Sequence, residues 1–136
     1  MLLANNAVPD LVVQVNTLRV SADALMQALC EEGITAKLHD WMPDCLILSH
    51  TGNMEQLEAF QKGLFYIQDA AAKLSVLCAQ LSQGSQVLDC CSAPGGKSFA
   101  ASIAMQNQGH IISCDIHPHK LKLVENGADL RMVQDM

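Results

Sequence analysis

The chain has 136 residues, 50% of them hydrophobic and 16% charged, so it can bury a core and does not have the composition of a disordered protein. Its formal net charge of -6 argues against a broad basic surface for a phosphate backbone, though not against a local basic site. No apolar run is long enough to cross a bilayer, and the start "MLLANNAVPD" lacks the charged and apolar regions of a signal peptide, so we expect a cytoplasmic protein with no membrane anchor.

The first part of the chain predicts a small α+β subdomain over residues 1–63. Its first strand is the β-branched "LVVQVNT", followed by a helix in "SADALMQALCEEG" with Ser21 at the N-cap and Gly33 at the end. Two strands are predicted in "ITAKLHD" and "CLILSH", on either side of a turn. A second helix is predicted in "NMEQLEAFQKG", with Asn53 as its cap and Gly63 as its terminator. The order β-α-β-β-α is typical of a compact α+β unit.

The remainder, residues 64–136, predicts the first half of a Rossmann-like domain. Strands are predicted in "QVLDC" and "HIISCD", and helices in "GKSFAASIAMQN" and "PHKLKLVENGA", the second beginning at Pro118. This alternation predicts parallel strands joined by right-handed crossovers. Two β-α units are fewer than an open parallel sheet usually needs, so we expect an incomplete α/β domain. Before them, apolar spacing predicts an amphipathic helix from Gln68 to Leu81 whose core-facing side is formed by Leu74, Leu77, Cys78 and Leu81.

The six cysteines show no C-x-x-C spacing, so the sequence predicts no zinc site. The two histidines that flank Pro118, His117 and His119, have no third ligand nearby, and no other metal site is predicted. In a protein without a secretory signal we expect reduced thiols, most of them small residues of the core. The cysteines are Cys30, Cys45, Cys78, Cys90, Cys91 and Cys114.

The stretch "VLDCCSAPGGKSFA", residues 87–100, joins a predicted strand to a predicted helix through a glycine turn that could hold a ligand. A nucleoside triphosphate is disfavoured, because Cys91 stands where a P-loop has its first glycine and Pro94 removes a backbone N–H. A dinucleotide is disfavoured as well, since the fingerprint G-x-G-x-x-G is absent. S-adenosylmethionine (SAM), a nucleoside ligand without phosphates, fits the turn better.

Two features of the turn favour SAM. Gly95 and Gly96 lack Cβ atoms and permit a close approach of the backbone to the ligand. Asp115 ends the next strand, 20 residues beyond Gly95, about the separation expected for a ribose-binding acid in a β-α-β unit. Asp89, at the tip of the first strand, could face the ammonium group of the methionine. The plainer alternatives are a glycine turn without a ligand and an aspartate that only caps the next helix, but the combination favours a ligand site.

Four segments of the chain resemble the Sun/Fmu-type RNA (cytosine-5)-methyltransferases, the bacterial relatives of the Nop/NSun proteins. "VLDCCSAPGGKS" resembles the first SAM-binding motif of that family, "VQVNTL" its R-V-N-T-L strand, "GLFYIQDAAAKL" its entry segment and "CDIHPHKL" its second motif. Gln14 stands where the family usually has arginine, and Ala70 and Ala72 where it has Glu and Ser. The likeness runs from about Asn5 to Arg131, and it is strongest to members that methylate a cytosine of small-subunit ribosomal RNA.

The resemblance implies a Rossmann-like SAM domain, with RNA, most closely small-subunit ribosomal RNA, as the substrate of the complete enzyme. A lysine after the glycines would meet the methionine carboxylate or nearby RNA, and an aspartate would bind the ribose. The implied cofactor contacts are Cys91, Ser92, Ala93, Pro94, Gly95, Gly96 and Lys97, with Asp115 on the ribose.

The family's two catalytic thiols, one adding to C6 of cytosine and one assisting product release, lie in P-C-S and T-C-S contexts, which none of the six cysteines has. Cys90 and Cys91 are therefore expected to pack or to line the cofactor site, and no catalytic residue is assigned. Asp135 comes several residues too early for the family's third acidic motif. We expect a fragment that by itself binds SAM weakly or not at all and does not transfer methyl groups. The alternatives left open are a non-catalytic module that binds SAM or a partner, and a P-loop-like nucleotide-binding protein.

Overall fold

The computed structural model describes residues 11–131 of the chain. The opening segment "MLLANNAVPD" and Asp135, both considered above, lie outside the described residues. Across residues 11–131, each helix is too short or too polar to cross a membrane. The described chain has a mixed α/β fold, with a four-stranded antiparallel sheet, a two-stranded parallel sheet and helices packed on both.

The first sheet belongs to a unit with the element order β-α-β-β-α-β, so the predicted order is confirmed and one more strand follows it. The four strands lie in the spatial order β2-β3-β1-β4, and every neighbouring pair is antiparallel. This is a split β-α-β arrangement, in which each helix connects two strands that are separated by a third. The elements are β1 (Leu11–Val15), α1 (Ala22–Glu31), β2 (Thr35–Leu38), β3 (Cys45–Ser49), α2 (Glu58–Gln61) and β4 (Phe65–Ile67).

Helix α1 begins and ends where the sequence predicts. The hydroxyl of Ser21 accepts a hydrogen bond from the N–H of Ala24 at 3.3 Å and so satisfies one free donor of the first turn. Gly33 follows the helix with a φ of 80°, a left-handed conformation that glycine adopts without strain. Leu25 and Leu29 are fully buried in the core of this unit, and burying each one contributes about 1.5–3 kcal/mol.

The single helix predicted from Asn53 to Gly63 is wrong, because the segment forms two short pieces. Asn53 caps a 3-10 turn at Met54–Gln56, and α2 begins only at Glu58. The carboxylate of Glu32, which follows α1, accepts hydrogen bonds from the N–H groups of Glu58 and Ala59 at 2.7 and 3.0 Å. The cap of α2 therefore comes from a residue 26 positions earlier, which local pattern rules do not detect.

Strand β4 was not predicted, since "FYI" is short and lies between stronger signals. It pairs with β1 in an antiparallel register that matches Val15 with Phe65. Phe65 is fully buried in the core and contacts the ring of Phe60 edge to face at 5.6 Å. The strand comes after residue 63, where the first subdomain was expected to end; the division into residues 1–63 and 64–136 stays a prediction.

The second unit contains the parallel sheet and three helices. Its strands pair in parallel from Ser85 with Gly109 to Asp89 with Ser113, so the predicted parallel pairing is confirmed. Its core joins Tyr66, from β4, to residues of the helices such as Phe99 and Val124. The elements are α3 (Ala70–Cys78), β5 (Ser85–Asp89), α4 (Gly96–Ala104), β6 (Gly109–Ser113) and α5 (Pro118–Arg131).

The predicted core-facing side of helix α3 is wrong at three of its four residues, whereas Leu81, which follows the helix, is half-buried and packs against the core of the second unit. Leu74 and Leu77 are 43% and 40% exposed, and Cys78 is exposed too, whereas Val76 and Ala70 are buried. The apolar spacing identifies the side of α3 that has the most apolar residues. The side that is buried is the one that contacts α4, and α3 packs against α4 through Val76. Periodicity alone cannot identify the neighbour that covers a helix.

One face of the parallel sheet is covered by helices and the other is exposed. Ile111 is buried and Val87 is half-buried, and both belong to the core of the second unit. Leu88 and Ile112, which are paired across the sheet and point the other way, are 62% and 51% exposed. The carboxyl ends of β5 and β6 lie at the same edge of this sheet, and the predicted ligand residues follow them.

Candidate functional site

The carboxylate of Asp89, at the end of β5, is bonded inside the protein. Its Oδ2 accepts a hydrogen bond from the Ser98 hydroxyl at 2.9 Å, and its Oδ1 accepts one from the N–H of Cys91 at 3.2 Å. The Lys97 ammonium lies 3.3 Å from the same Oδ1. These contacts bind Asp89 to the turn and to α4, and the suggested contact of its carboxylate with the ammonium group of a ligand stays a prediction.

Ser98 connects three elements of the site. Its hydroxyl is 2.8 Å from the hydroxyl of Ser113 at the end of β6, in addition to its bond with Asp89. Ser98 is fully buried; its bond with Asp89 is buried, and its contact with Ser113 is partly buried. The ends of β5 and β6 and the first turn of α4 are thus held together by one hydroxyl, a role that the sequence analysis missed.

The glycine turn is fastened to the end of β6 through Cys114. The carbonyl of Cys114 accepts hydrogen bonds from the N–H of Ser92 at 2.9 Å and from its hydroxyl at 3.0 Å. The N–H of Cys114 donates to the carbonyl of Asp89 at 2.8 Å, which extends the sheet by one bond. Ser92 is buried, so it has a structural role in the turn in addition to its predicted contact with a cofactor.

Asp115 lies beside the turn, as the sequence analysis requires. Its Oδ2 accepts a hydrogen bond from the N–H of Ala93 at 3.3 Å, and its Oδ1 accepts one from the N–H of His117 at 2.9 Å. The His117 N–H lowers the pKa of Asp115 most, and burial opposes it by raising the pKa. The Ala93 N–H and the charge of Lys120 lower the pKa further, so that the net shift is downward. The carboxylate is therefore ionised at neutral pH and can accept hydrogen bonds from hydroxyl groups.

Packing within the protein, and not only a predicted ligand, explains why both positions of the turn are glycine. A Cβ on Gly95, whose φ is 113°, would lie 2.3 Å from the ring of Phe99. A Cβ on Gly96 would lie 3.2 Å from the amide nitrogen of Gln68. Side chains of the protein itself therefore occupy the space beside both glycines, and the absence of Cβ atoms is not by itself a sign of a ligand.

Gln68 is a buried residue next to the turn that the sequence analysis did not single out. It is 7% exposed, and neither its amide oxygen nor its amide nitrogen has a hydrogen-bond partner among the described residues. Its backbone carbonyl accepts a bond from the Gln14 amide at 3.0 Å. In the sequence, Gln68 is a polar residue between an apolar strand and a helix, and this position was the available signal for a special role. In the structure its side-chain amide lies against the start of α4.

A cleft of about 390 Å³ lies on one side of the turn, between β4 and α5. Pro94 and Gly96 are the turn residues that line it, and Glu55 and Asn126 are among its few polar residues. Its other lining residues are mainly apolar: Phe60, Tyr66, Ile67, Phe99 and Leu123.

The residues predicted to contact a cofactor form one continuous region at the carboxyl ends of β5 and β6. The Lys97 ammonium, predicted to meet a ligand carboxylate or RNA, donates to the Cys91 carbonyl and pairs with Asp89. The charge of Lys97 is thus partly neutralised within the turn by Asp89. The roles of these residues as cofactor contacts stay predictions: Cys91, Ser92, Ala93, Pro94, Gly95, Gly96, Lys97 and Asp115.

The expectation that most cysteines pack in the core is wrong. Cys45 is buried, and burial raises the pKa of its thiol, but the other five cysteines are exposed. They lie on outward-facing helix positions or at the ends of strands, where small apolar residues are not enclosed. Within residues 11–131 no group of three histidine, cysteine or acidic side chains is arranged to hold a metal ion.

Comparison with known proteins matches most of the chain to two family models. Residues 1–55 match the model described as "Methyltr_RsmF/B-like, ferredoxin-like domain", which agrees with the split β-α-β sheet. Residues 76–134 match "16S rRNA methyltransferase RsmB/F".

Similar proteins extend beyond the chain. "Ribosomal RNA small subunit methyltransferase B" of Pseudomonas putida is 33% identical over 93% of this chain and 29% of its own length. "25S rRNA (cytosine-C(5))-methyltransferase NSUN5" of Arabidopsis thaliana is 32% identical over 84% of this chain and 20% of its own length. A solved methyltransferase homologue from Pyrococcus horikoshii superposes with a TM-score of 0.79 and 27% identity, over 94% of this chain and 43% of its own. The chain thus spans less than a third of these two curated relatives.

Proposed function

The chain belongs to the RsmB/F family of methyltransferases, and from that membership we propose that it supplies the SAM-binding turn of an RNA (cytosine-5)-methyltransferase. The Pseudomonas relative is named for small-subunit ribosomal RNA, and the Arabidopsis relative for C5 of a cytosine in 25S rRNA. The proposed substrate of the whole protein is therefore ribosomal RNA, most closely small-subunit RNA, modified in the cytoplasm.

The observation that carries the proposal is the contact between Asp115 and the N–H of Ala93 at 3.3 Å. It brings an ionised carboxylate to the glycine turn, at the carboxyl ends of two parallel strands. Ligands of open α/β sheets bind at this edge. The two halves of the predicted site are therefore adjacent, which supports the proposal of an adenosyl ligand.

Each part of the site would have a distinct task. Asp115 would accept hydrogen bonds from the ribose hydroxyls, and the backbone of the turn would lie along the ligand. The first turn of α4 carries the partial positive charge of a helix N-terminus, which favours the carboxylate end of a ligand. When bound, SAM supplies an activated methyl group. The residues proposed to hold it are Cys91, Ser92, Ala93, Pro94, Gly95, Gly96, Lys97 and Asp115.

The described residues supply binding but not the nucleophile of cytosine methylation. Cys90 and Cys91 follow β5 directly, at the turn, and neither has the sequence context of the family's catalytic thiols. Asp89, the acidic residue directly before these two cysteines, is bonded to Ser98 and close to Lys97. We therefore assign no catalytic residue to this chain and expect no methyl transfer by the chain alone.

Two assays test the proposal together. Equilibrium dialysis of the purified chain with labelled SAM should show weak but saturable binding, and an assay with ribosomal RNA should show no transfer of the labelled methyl group. Absence of binding at millimolar SAM would contradict the cofactor assignment. Transfer of label to RNA would contradict the absence of a nucleophile.

A further inference from the structure

Cys90 and Cys114 lie at the ends of the two parallel strands, and the proposed function gives their thiols no task. Cys90 follows Asp89, the last residue of β5, and Cys114 follows Ser113, the last residue of β6. Both cysteines are exposed.

The register of the sheet makes these two cysteines neighbours. Asp89 and Ser113 are the last paired residues, and Cys90 and Cys114 follow them directly. The next backbone bond joins the Cys114 carbonyl to the N–H of Ser92, so Cys90 and Cys91 together lie opposite Cys114. The 2.8 Å bond from the N–H of Cys114 to the carbonyl of Asp89 shows that the strands are still adjacent at this point. Neighbouring strands lie about 4.8 Å apart, and a disulfide joins Cα atoms separated by about 4.4–6.8 Å. Neighbouring residues on the two strands therefore have a Cα separation that a disulfide can join.

Contacts of the preceding residues indicate that both thiols point to the same face. Asp89 and Ser113 each contact the Ser98 hydroxyl, so both of these side chains point toward α4. Side chains alternate along a strand, so Cys90 and Cys114 point to the opposite face. That face carries the exposed side chains of Leu88 and Ile112, and a small reagent can reach it.

Cys91, the third cysteine in this region, is held differently. Its N–H donates to Asp89 and its carbonyl accepts a bond from the Lys97 ammonium. Cys90, and not Cys91, directly follows the paired Asp89, so Cys90 is the proposed partner of Cys114.

We propose that Cys90 and Cys114 are a modification site: they form a disulfide with each other when a small disulfide such as glutathione disulfide oxidises them. One thiolate attacks a sulfur of glutathione disulfide, which releases one glutathione thiolate and leaves a mixed disulfide on the protein. The second thiolate attacks the protein sulfur of that mixed disulfide and releases the second glutathione. The two electrons come from the cysteine pair, and the two protons pass to the released thiolates. The site adjoins Asp115, but its formation does not depend on SAM binding.

The test uses the full chain, reduced, diluted and then treated with glutathione disulfide. Monomer is isolated on a non-reducing gel, its free thiols are alkylated, and its peptides are mapped by mass spectrometry. A cross-linked peptide pair should join Cys90 to Cys114, with the loss of two alkylatable thiols. Cys90→Ser and Cys114→Ser should each abolish that pair. Cys78→Ser, a change at an exposed cysteine of α3, should retain it.

Three results would overturn the proposal. One is glutathione bound at both cysteines without a cross-link, and another is a cross-link from Cys91 to Cys114. The third is a cross-link found only in covalent dimers, which would mean that the two thiols meet between molecules.

Discussion

The Asp89 carboxylate and the Ser98 hydroxyl form a 2.9 Å hydrogen bond between the end of β5 and the first turn of α4. Both residues are buried, and the same hydroxyl lies 2.8 Å from the Ser113 hydroxyl on β6. The bond therefore ties together the elements that present the glycine turn and Asp115. The site depends on this polar cluster as well as on apolar packing.

Replacing Ser98 with alanine should lower the free energy of unfolding by about 1–3 kcal/mol, because a buried carboxylate oxygen then loses its hydroxyl donor. Urea unfolding measures the effect. Ser75→Ala, which removes an exposed hydroxyl on α3, should change stability by less than about 0.5 kcal/mol. Wild-type stability of the Ser98 variant would show that the cluster does not hold the site together.

Gly95→Ala should destabilise the chain more than Gly84→Ala does. Both glycines have a positive φ, of 113° and 85°, so both substitutions strain the backbone by about 1–3 kcal/mol. Only at Gly95 would the new Cβ also collide with a side chain, the Phe99 ring at 2.3 Å. Thermal unfolding of the two variants separates the collision from the backbone strain, and equal losses would argue against tight packing of Phe99 on the turn.

Gln68→Leu should leave the free energy of unfolding unchanged or raise it by about 1–2 kcal/mol. The substitution keeps the size of the side chain and removes a buried amide that has no partner among the described residues. Gln27→Leu, on the exposed side of α1, provides the control. A loss of more than about 1 kcal/mol in urea unfolding would show that the Gln68 amide makes a bond that this structure does not contain.

The lowered pKa of Asp115 predicts a contribution to stability that depends on pH. The folded state holds the ionised form more strongly than the unfolded chain does. The contribution is therefore present above the unfolded value of about 3.9 and is lost as the pH falls through the lower folded value. Asp115→Asn should lose less stability than the wild type between pH 6 and strongly acidic solution. Parallel stability curves of the two proteins over that range would contradict the prediction.

Much of the site was predictable because its signals are local. Ser21 and Gly33 delimit α1 through backbone chemistry that acts within a few residues, and the 20-residue spacing from Gly95 to Asp115 follows from the β-α-β connection. Other features depend on contacts between distant parts of the chain. The cap that Glu32 gives to α2 is an example, as is the Gln68 amide against Gly96. A pattern within one segment does not contain such contacts.

The exposed leucines of α3 show the same limit for burial. Leu74 and Leu77 fit an apolar stripe, yet Val76 is the residue that faces α4. Which stripe is buried depends on the neighbours that the chain provides. The exposed Leu88 and Ile112 on the uncovered face of the parallel sheet have the same explanation within residues 11–131.

The central claim is that the glycine turn and Asp115 hold one adenosyl ligand between them, and calorimetric titration with S-adenosylhomocysteine tests it most directly. The wild type should bind, and Asp115→Asn should weaken binding by about tenfold or more, the effect of losing a charged hydrogen bond. Asp40→Asn, which removes an acid far from the turn in sequence, should bind as the wild type does. Equal affinity of the wild type and Asp115→Asn would contradict the claim.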